Sequence, residues 1–149
     1  MEPNKLLLSG CLILNKNNEL LLLYRKDHGF YETPGGKVEH SECFDFENPK
    51  VEELKKTAER ELFEELGNNI KISGLEFFGS IEFKIPNGRL AVANKFVTKL
   101  ISGIPIINEP NNFSKLDYLS VSSLETFPLS SDMKLLLPDL KKRLPNFFQ

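Results

Sequence analysis

The sequence predicts one α/β (α+β) domain built on a mixed β-sheet, and three observations support this prediction. The chain has 149 residues, a usual length for one domain, which we take to span residues 1–149. Its composition, 40% hydrophobic and 27% charged, is typical of a globular protein. Apolar segments of strand length lie before and after one long amphipathic segment, and a second helical segment closes the chain.

The first third of the chain predicts a hairpin, a turn and the clearest helix. "KLLLSGCLIL" and "ELLLLYRK", separated by "NKNN", predict two antiparallel strands. Pro34, Gly35 and Gly36 predict a tight, exposed turn, and "HSECFDFENP" predicts a loop. "KVEELKKTAERELFEEL" predicts a helix after Pro49 that ends at Gly67, because glycine adopts the backbone conformation that closes helices.

The second half of the chain predicts further strands and a closing helix. "IKISGLEFFGSIEFKI" and "LAVANKFVTKLI", on either side of "PNGR", predict strands around a hairpin. "SGIPIINEPNNF" predicts a loop and "KLDYLSV" a short strand. "SDMKLLLPDLKKRL" predicts the closing helix, although Pro138 argues against its continuity because proline lacks a backbone N–H.

Charge, hydropathy and cysteine content exclude several classes of protein. The formal net charge of −2 argues against a protein that binds nucleic-acid polymers, which would be basic. No apolar run approaches the ~18 residues of a membrane span, so no membrane partner is expected. Cys11 and Cys43 form neither a disulfide framework nor a zinc motif, and we therefore expect a reduced, cytoplasmic setting.

The predicted helix carries a cluster of carboxylates whose direction is informative. At ~100° per residue, Glu61 and Glu65 fall within or beside the apolar face, and Glu64 flanks it. Charged groups on such a face are costly unless they are paired, and neighbouring carboxylates repel one another. Because hard divalent cations prefer carboxylate oxygens, the spacing predicts a metal site at the helix–sheet interface. The alternative is a solvated acidic face paired with Lys55, Lys56 and Arg60.

"GGKVE" and the downstream "RELFEELG" resemble the signature box of the Nudix hydrolases. That resemblance implies an α/β/α sandwich around a mixed sheet, with the box forming a loop–helix–loop. The box requires seven residues between its first glutamate and the arginine, here Arg60, and this rule selects Glu52. Glu42 also satisfies the spacing from the glycines, but we treat that match as a coincidence. An insertion of ten residues then lies inside the box at about 40–50.

The resemblance implies hydrolysis of a nucleoside diphosphate linkage with Mg²⁺ or Mn²⁺. On this reading Glu61, Glu64 and Glu65 are metal ligands, together with the backbone carbonyl of Gly35 or Gly36. Arg60 orients Glu64, and the general base is either Glu61 or Glu109, with Glu61 preferred. The implied substrate contacts are Arg25, Lys37, Tyr31, Gly35 and Gly36. Substrate choice is assigned to Tyr31, Phe83, Asn94, Phe96 and the loop 130–132.

Several functions stay open at this point. The preferred reaction converts a (deoxy)nucleoside triphosphate to a nucleoside monophosphate and pyrophosphate. The alternatives are hydrolysis of ADP-ribose, of a dinucleoside polyphosphate or of another nucleoside diphosphate derivative, a nucleotide-binding module without turnover, and an acidic interaction helix without metal. Phe44 and Phe46 in the insertion are predicted to border the entrance of the site, where they could cover it or form a homodimer contact.

Overall fold

The computed structural model describes residues 5–148, which form one eight-stranded sheet between two helices. Short 3-10 turns lie between these elements at His40–Glu42 and Val121–Thr126, and a third, Leu144–Asn146, follows the last helix. The helices are α1, Val51–Leu66, and α2, Ser131–Arg143. The strands are β1 Leu6–Leu14, β2 Glu19–Arg25, β3 Phe30–Glu32, β4 Gly35–Lys37, β5 Ile70–Ile72, β6 Glu76–Lys84, β7 Leu90–Gly103 and β8 Lys115–Ser120. No helix in this described range is long and apolar enough to cross a membrane.

The centre of the sheet is a parallel pair, β1 and β7, with strands of both orientations around it. β1 and β7 pair in continuous register from Leu6 opposite Ala91 to Leu14 opposite Lys99. The remaining pairs are antiparallel: β2 and β4 lie along β1, β5 and β6 along β7, and β3 and β8 along β2. The predicted mixed sheet and the β1–β2 hairpin are therefore confirmed.

The sheet separates two hydrophobic cores, which makes the fold an α/β/α sandwich. Successive residues of β1 point to opposite faces, as strand geometry requires. Cys11 and Ile13 belong to the core beneath α1. Leu12 and Leu14 belong to the core beneath α2. Both helices therefore bury an apolar face against the same sheet, which agrees with the predicted architecture.

The glycine segment differs from its prediction as an exposed turn. Gly35 and Gly36 lie in the short, half-buried strand β4, which pairs with the middle of β1. Gly35 lies opposite Gly10, and a side chain on either residue would overlap the backbone of the other strand. The two glycines therefore allow these strands to approach closely, and β4 is held in the sheet beneath α1.

The closing helix is continuous through Pro138, which the sequence argued against. Pro138 is exposed, so the carbonyl that loses its partner there can be solvated. Met133, Leu136 and Leu140 are buried on the opposite face and pack against the sheet. This packing outweighs the local cost of the proline and keeps α2 intact.

Candidate active site

Two carboxylates of α1 converge on the backbone of β4. Glu65 is only 3% exposed, and its carboxylate accepts the N–H of Gly35 at 3.2 and 3.4 Å. The Glu61 carboxylate lies so close to Gly36 that a Cβ there would overlap it. The helical spacing thus predicted correctly that Glu61 and Glu65 point inward. Only glycine at position 36 leaves room for this arrangement.

Burial and mutual repulsion make this pair of carboxylates unusual. Burial is the main cause that raises the pKa of Glu65, to about 9, and the charge of Glu61 raises it further. Burial also raises the pKa of Glu61, although the positive charge of Arg60 opposes the shift. The two groups therefore resist carrying two negative charges together, and a bound cation would relieve this repulsion.

Arg60 is the cationic centre of the acidic cluster. Its Nε and Nη2 donate to the two oxygens of Glu42 at 2.7 and 2.9 Å. Its Nη1 donates to Glu61 at 3.0 Å and to Glu64 at 3.1 Å, while Nη2 also reaches the carbonyl of Lys37 at 3.1 Å. Hydrogen bonding to Arg60 lowers the pKa of Glu42 to about 2. One guanidinium thus fixes residues from three segments of the site.

The structure corrects the assignment of Glu52. Glu42, separated from Gly36 by five residues, forms the bidentate pair with Arg60, whereas Glu52 is exposed on the first turn of α1. The loop before α1 is instead held by Glu53, which accepts the backbone N–H groups of residues 44 and 50 at 2.9 and 3.0 Å. The 3-10 turn at His40–Glu42 brings Glu42 alongside α1, so the extra residues follow Glu42. The glycine spacing was the correct signal.

The donor set suits a divalent cation, although it is not yet gathered around one point. Within residues 5–148, no three His, Cys, Asp or Glu side chains are grouped closely enough to hold a metal ion. The side chain of Glu64 is 48% exposed and is turned toward Arg60. Glu61 and Glu65 nevertheless offer hard oxygen donors beside a glycine backbone. A third oxygen would come from a rotation of Glu64 or from a β4 carbonyl.

A cleft of about 300 Å³ opens beside this cluster. Gly35, Gly36 and Lys37 of β4 line it, so it reaches the backbone that contacts Glu61 and Glu65. Arg25, a predicted substrate contact, also lines the cleft, and its Nη1 donates to Glu32 at 3.1 Å. Arg25, Lys37, Gly35 and Gly36 are thus brought together at one cavity.

The floor of the cleft contains a buried ion pair that the sequence reasoning did not include. Lys95 of β7 is 5% exposed, and its Nζ lies 2.6 Å from Thr33 Oγ1 and 2.8 Å from Asp132 Oδ2. The Ser130 hydroxyl donates to the other Asp132 oxygen at 2.6 Å. Although burial favours the neutral acid, Lys95 and these hydrogen bonds hold the pKa of Asp132 below its usual value. A lysine within the apolar run "LAVANKFV" was the available signal, because buried charge needs a partner.

Three of the predicted substrate selectors lie away from the cleft. Tyr31 is a core residue whose hydroxyl donates to Asp117 at 2.6 Å, so its assignment as a substrate contact is corrected. Asn94 is used within the sheet, where its Nδ2 donates to the Leu8 carbonyl at 3.0 Å. Phe96 is fully buried in the core beneath α1. Phe83 and residues 130–132 do line the cleft.

Glu109 lies in the loop between β7 and β8, next to the end of α1. The neighbouring Asn108 holds this loop in place, because its backbone N–H and its Nδ2 donate at 2.9 Å to the carbonyls of Glu65 and Glu64. The charge of Glu109 contributes to the raised pKa of Glu65. Glu109 does not line the cleft itself.

Comparison with known proteins identifies the group to which this architecture is similar. A family model described as "NUDIX domain" matches residues 7–140. A MutT Nudix hydrolase from Burkholderia pseudomallei superposes with a TM-score of 0.72 at 25% identity, covering 91% of this chain and 98% of that one. A MutT protein from Methanosarcina mazei Go1 gives 0.71 at 19% identity, covering 95% and 96%.

A third solved structure is similar over nearly the whole chain. It is the Nudix domain of Shewanella oneidensis NrtR, complexed with ADP-ribose, with a TM-score of 0.69 at 18% identity over 96% of this chain and 90% of that chain. At this identity the likeness concerns the fold. No curated protein sequence gave a match.

Proposed function

This chain belongs to the Nudix family of pyrophosphohydrolases, and we propose that its substrate is a (deoxy)nucleoside triphosphate. The reaction adds water to a phosphorus of the triphosphate and releases a nucleoside monophosphate and pyrophosphate. The observation that carries the proposal is the convergence of Glu61 and Glu65 on the β4 glycines beside the cleft. An acidic site of this kind favours a polyphosphate only together with a cation, as Nudix hydrolases typically require.

The residues that would hold Mg²⁺ or Mn²⁺ are Glu61, Glu64 and Glu65, with the carbonyl of Gly35. When bound, the ion supplies positive charge for the diphosphate and activates water for attack on phosphorus. Arg60 Nη1 holds Glu61 at 3.0 Å, and Glu64, bonded to the same Nη1 at 3.1 Å, would have to rotate toward Glu61 and Glu65 to complete the ligand set. The N–H of Gly35 fixes the Glu65 carboxylate in the same way.

The chain offers separate groups for the phosphates and for the proton. Lys37 and Arg25 line the cleft and provide positive charge for phosphate oxygens. Glu61 is our choice for the general base, since its carboxylate lies beside Gly36, which lines the cleft. Glu109 is the second choice, because its loop reaches α1 but not the cleft.

Product release from a panel of nucleotides tests this function. With Mg²⁺ present, pyrophosphate or phosphate release is measured for triphosphates and ADP-ribose with the native protein and with Glu61→Gln, Glu64→Gln and Glu65→Gln. We expect each substitution to lower kcat about 100-fold or more, since charged ligands and a general base are removed. Glu59→Gln, an exposed residue of the same helix, is the matched control and should retain native kcat.

Three outcomes would contradict the proposal in different ways. Turnover that survives all three substitutions would remove these glutamates from the chemistry. Nucleotide binding without any product release from the panel would favour a binding module. Turnover of ADP-ribose alone would agree with the assigned active-site residues but would show that ADP-ribose, and not a triphosphate, is the substrate.

A further inference from the structure

Glu32 is a carboxylate of the cleft that the proposed reaction leaves without a role. It ends β3 and lines the cleft together with Arg25, and its side chain is 24% exposed. Its Oε1 accepts a hydrogen bond from Arg25 Nη1 at 3.1 Å. Among residues 5–148, no group donates a hydrogen bond to the second oxygen, Oε2, which is not sealed from solvent. This oxygen is therefore open to a ligand in the cleft.

Glu32 lies between the groups proposed for the phosphates and the floor of the cleft. Its partner Arg25 is a proposed phosphate contact, and Gly35 follows three positions later, at most about 10 Å away along an extended chain. On the other side, the neighbouring Thr33 accepts a hydrogen bond from the Lys95 ammonium of the floor at 2.6 Å. The sugar of a nucleotide lies between its phosphates and its base. A nucleotide with its phosphates beside β4 and its base toward the floor therefore places its sugar at Glu32.

The chemistry of Glu32 favours a hydroxyl donor over a phosphate. An ionised carboxylate only accepts hydrogen bonds, and its charge repels phosphate oxygens. Burial raises the pKa of Glu32 and the positive charge of Arg25 opposes that rise, so a ligand that donates to Oε2 would further stabilise the charged form. In other nucleotide sites, acidic side chains bind ribose hydroxyls in this way.

The other residues near the cleft do not duplicate this role. Asp132 also lines the cleft, but both of its oxygens are already bonded within the floor. The insertion does not reach the cleft, because neither Phe44 nor Phe46, predicted to border its entrance, lines it. Glu32 is therefore the cleft carboxylate with an oxygen available for the sugar.

We propose that Glu32 selects ribose over deoxyribose in the nucleotide substrate. Its Oε2 accepts a hydrogen bond from the 2′-hydroxyl of the sugar, while Arg25 holds the carboxylate through Oε1. This inference rests on the proposed function for the reacting phosphates and narrows the substrate to a ribonucleoside triphosphate. A deoxyribose leaves Oε2 without its donor, and a site built to bond a hydroxyl discriminates against the analogue that lacks it.

The first experiment compares kcat/KM, with Mg²⁺, for three matched pairs: ATP and dATP, GTP and dGTP, CTP and dCTP. We expect the native protein to prefer the ribonucleotide about tenfold or more in each pair, because a hydrogen bond to a charged group contributes on that order. Glu32→Ala should bring the ratio close to one, and Glu32→Gln, which keeps an acceptor oxygen, should retain part of the preference. Absence of a ribose preference in the native protein would overturn the proposal without any variant.

Asp27→Ala is the matched control, because Asp27 is the other carboxylate that pairs with Arg25. It lies 3.3 Å from Arg25 Nε but does not line the cleft, so its removal should leave the ratio of ribonucleotide to deoxyribonucleotide unchanged. Equal losses of the preference in Asp27→Ala and Glu32→Ala would assign it to Arg25 and overturn the proposal. An effect of Glu32→Ala that follows the base and is the same for both sugars would also overturn it, because Glu32 would then contact the base.

Calorimetry in EDTA measures binding without turnover and separates the two proposals. ATP and GTP should bind the native protein more tightly than their deoxy forms, with the difference lost in Glu32→Ala. Equal affinity for both sugars would overturn the role of Glu32, even if triphosphates are hydrolysed. Tighter, Glu32-dependent binding of the ribonucleotides without hydrolysis of any triphosphate would support this role and contradict the proposed function.

Discussion

Two clusters of buried charge lie around the same cleft, and they differ in how their charge is balanced. On the floor, Lys95 and Asp132 form a closed pair, with each oxygen of Asp132 bonded. At the α1 side, the neighbouring Glu61 and Glu65 share one cationic contact, that of Arg60 with Glu61. The balanced cluster is complete without a ligand. In the unbalanced cluster, burial and mutual repulsion favour a reduced negative charge, which a proton or a bound cation would provide.

The largest stability effect should come from opening the balanced cluster. Asp132→Ala leaves the Lys95 ammonium buried without its carboxylate, and we expect unfolding free energy to fall by about 3–5 kcal/mol. Urea denaturation followed by circular dichroism measures this change. Replacing both partners, with Lys95→Met and Asp132→Leu, should cost much less because no unpaired charge remains. Equal losses in the single and double variants would mean that packing, not charge balance, matters here.

The second-largest effect should be a gain in stability, and it should come from a substitution in the unbalanced cluster. The pKa of Glu65 is raised to about 9 in the folded protein. Its carboxyl therefore contributes its full stabilisation only below its pKa in the unfolded chain, about 4.3. That stability is lost as pH rises from about 4.3 to 9 because the unfolded chain releases its proton first. Without metal, Glu65→Gln should remove this pH dependence and exceed the native protein in stability at pH 8 by several kcal/mol.

Thermal denaturation in EDTA and in Mg²⁺ checks this second prediction. Magnesium should raise the Tm of the native protein and close most of the gap to Glu65→Gln, because the ion replaces the proton. Glu59→Gln serves as the exposed control on the same helix. If Glu65→Gln were less stable than the native protein at pH 8 in EDTA, the two carboxylates would not repel as described.

Features that depend on residues close together in the chain were predicted correctly, and contacts between distant residues were not. Local sequence patterns predicted α1, the β1–β2 hairpin and the inward direction of Glu61 and Glu65, because each depends on residues that are close together in the chain. Tyr31 was misassigned since its partner, Asp117, is 86 positions away and is reached only through the pairing of β2 with β3 and β8. The Lys95–Asp132 pair was missed for the same reason, because it joins β7 to α2.

The insertion caused a different error, the choice of Glu52 instead of Glu42 as the partner of Arg60. Substitutions of these two glutamates should have the smallest effect on stability. Glu52 was chosen because it preserves the spacing to Arg60 along the chain, whereas the 3-10 turn brings Glu42 to Arg60 in space. Glu42→Gln removes one charge from a bidentate pair, and we expect a loss of about 1–2 kcal/mol at pH 7. Glu52→Gln, on the exposed first turn of α1, should change stability by less than about 0.5 kcal/mol.

The pH dependence of this last pair of variants identifies the glutamate that pairs with Arg60. Because the native pKa of Glu42 is lowered to about 2, its contribution is present above the unfolded value of about 4.3 and is lost as pH falls toward 2. The stability difference between native protein and Glu42→Gln, measured by urea denaturation, should therefore shrink between pH 5 and pH 2. A difference that stays constant over this range would contradict the pairing of Glu42 with Arg60. A pH-dependent difference that appears with Glu52→Gln instead would assign the pairing to Glu52. Arg60 balances only one side of the acidic cluster, so either glutamate variant should leave the pH dependence caused by Glu65 in place.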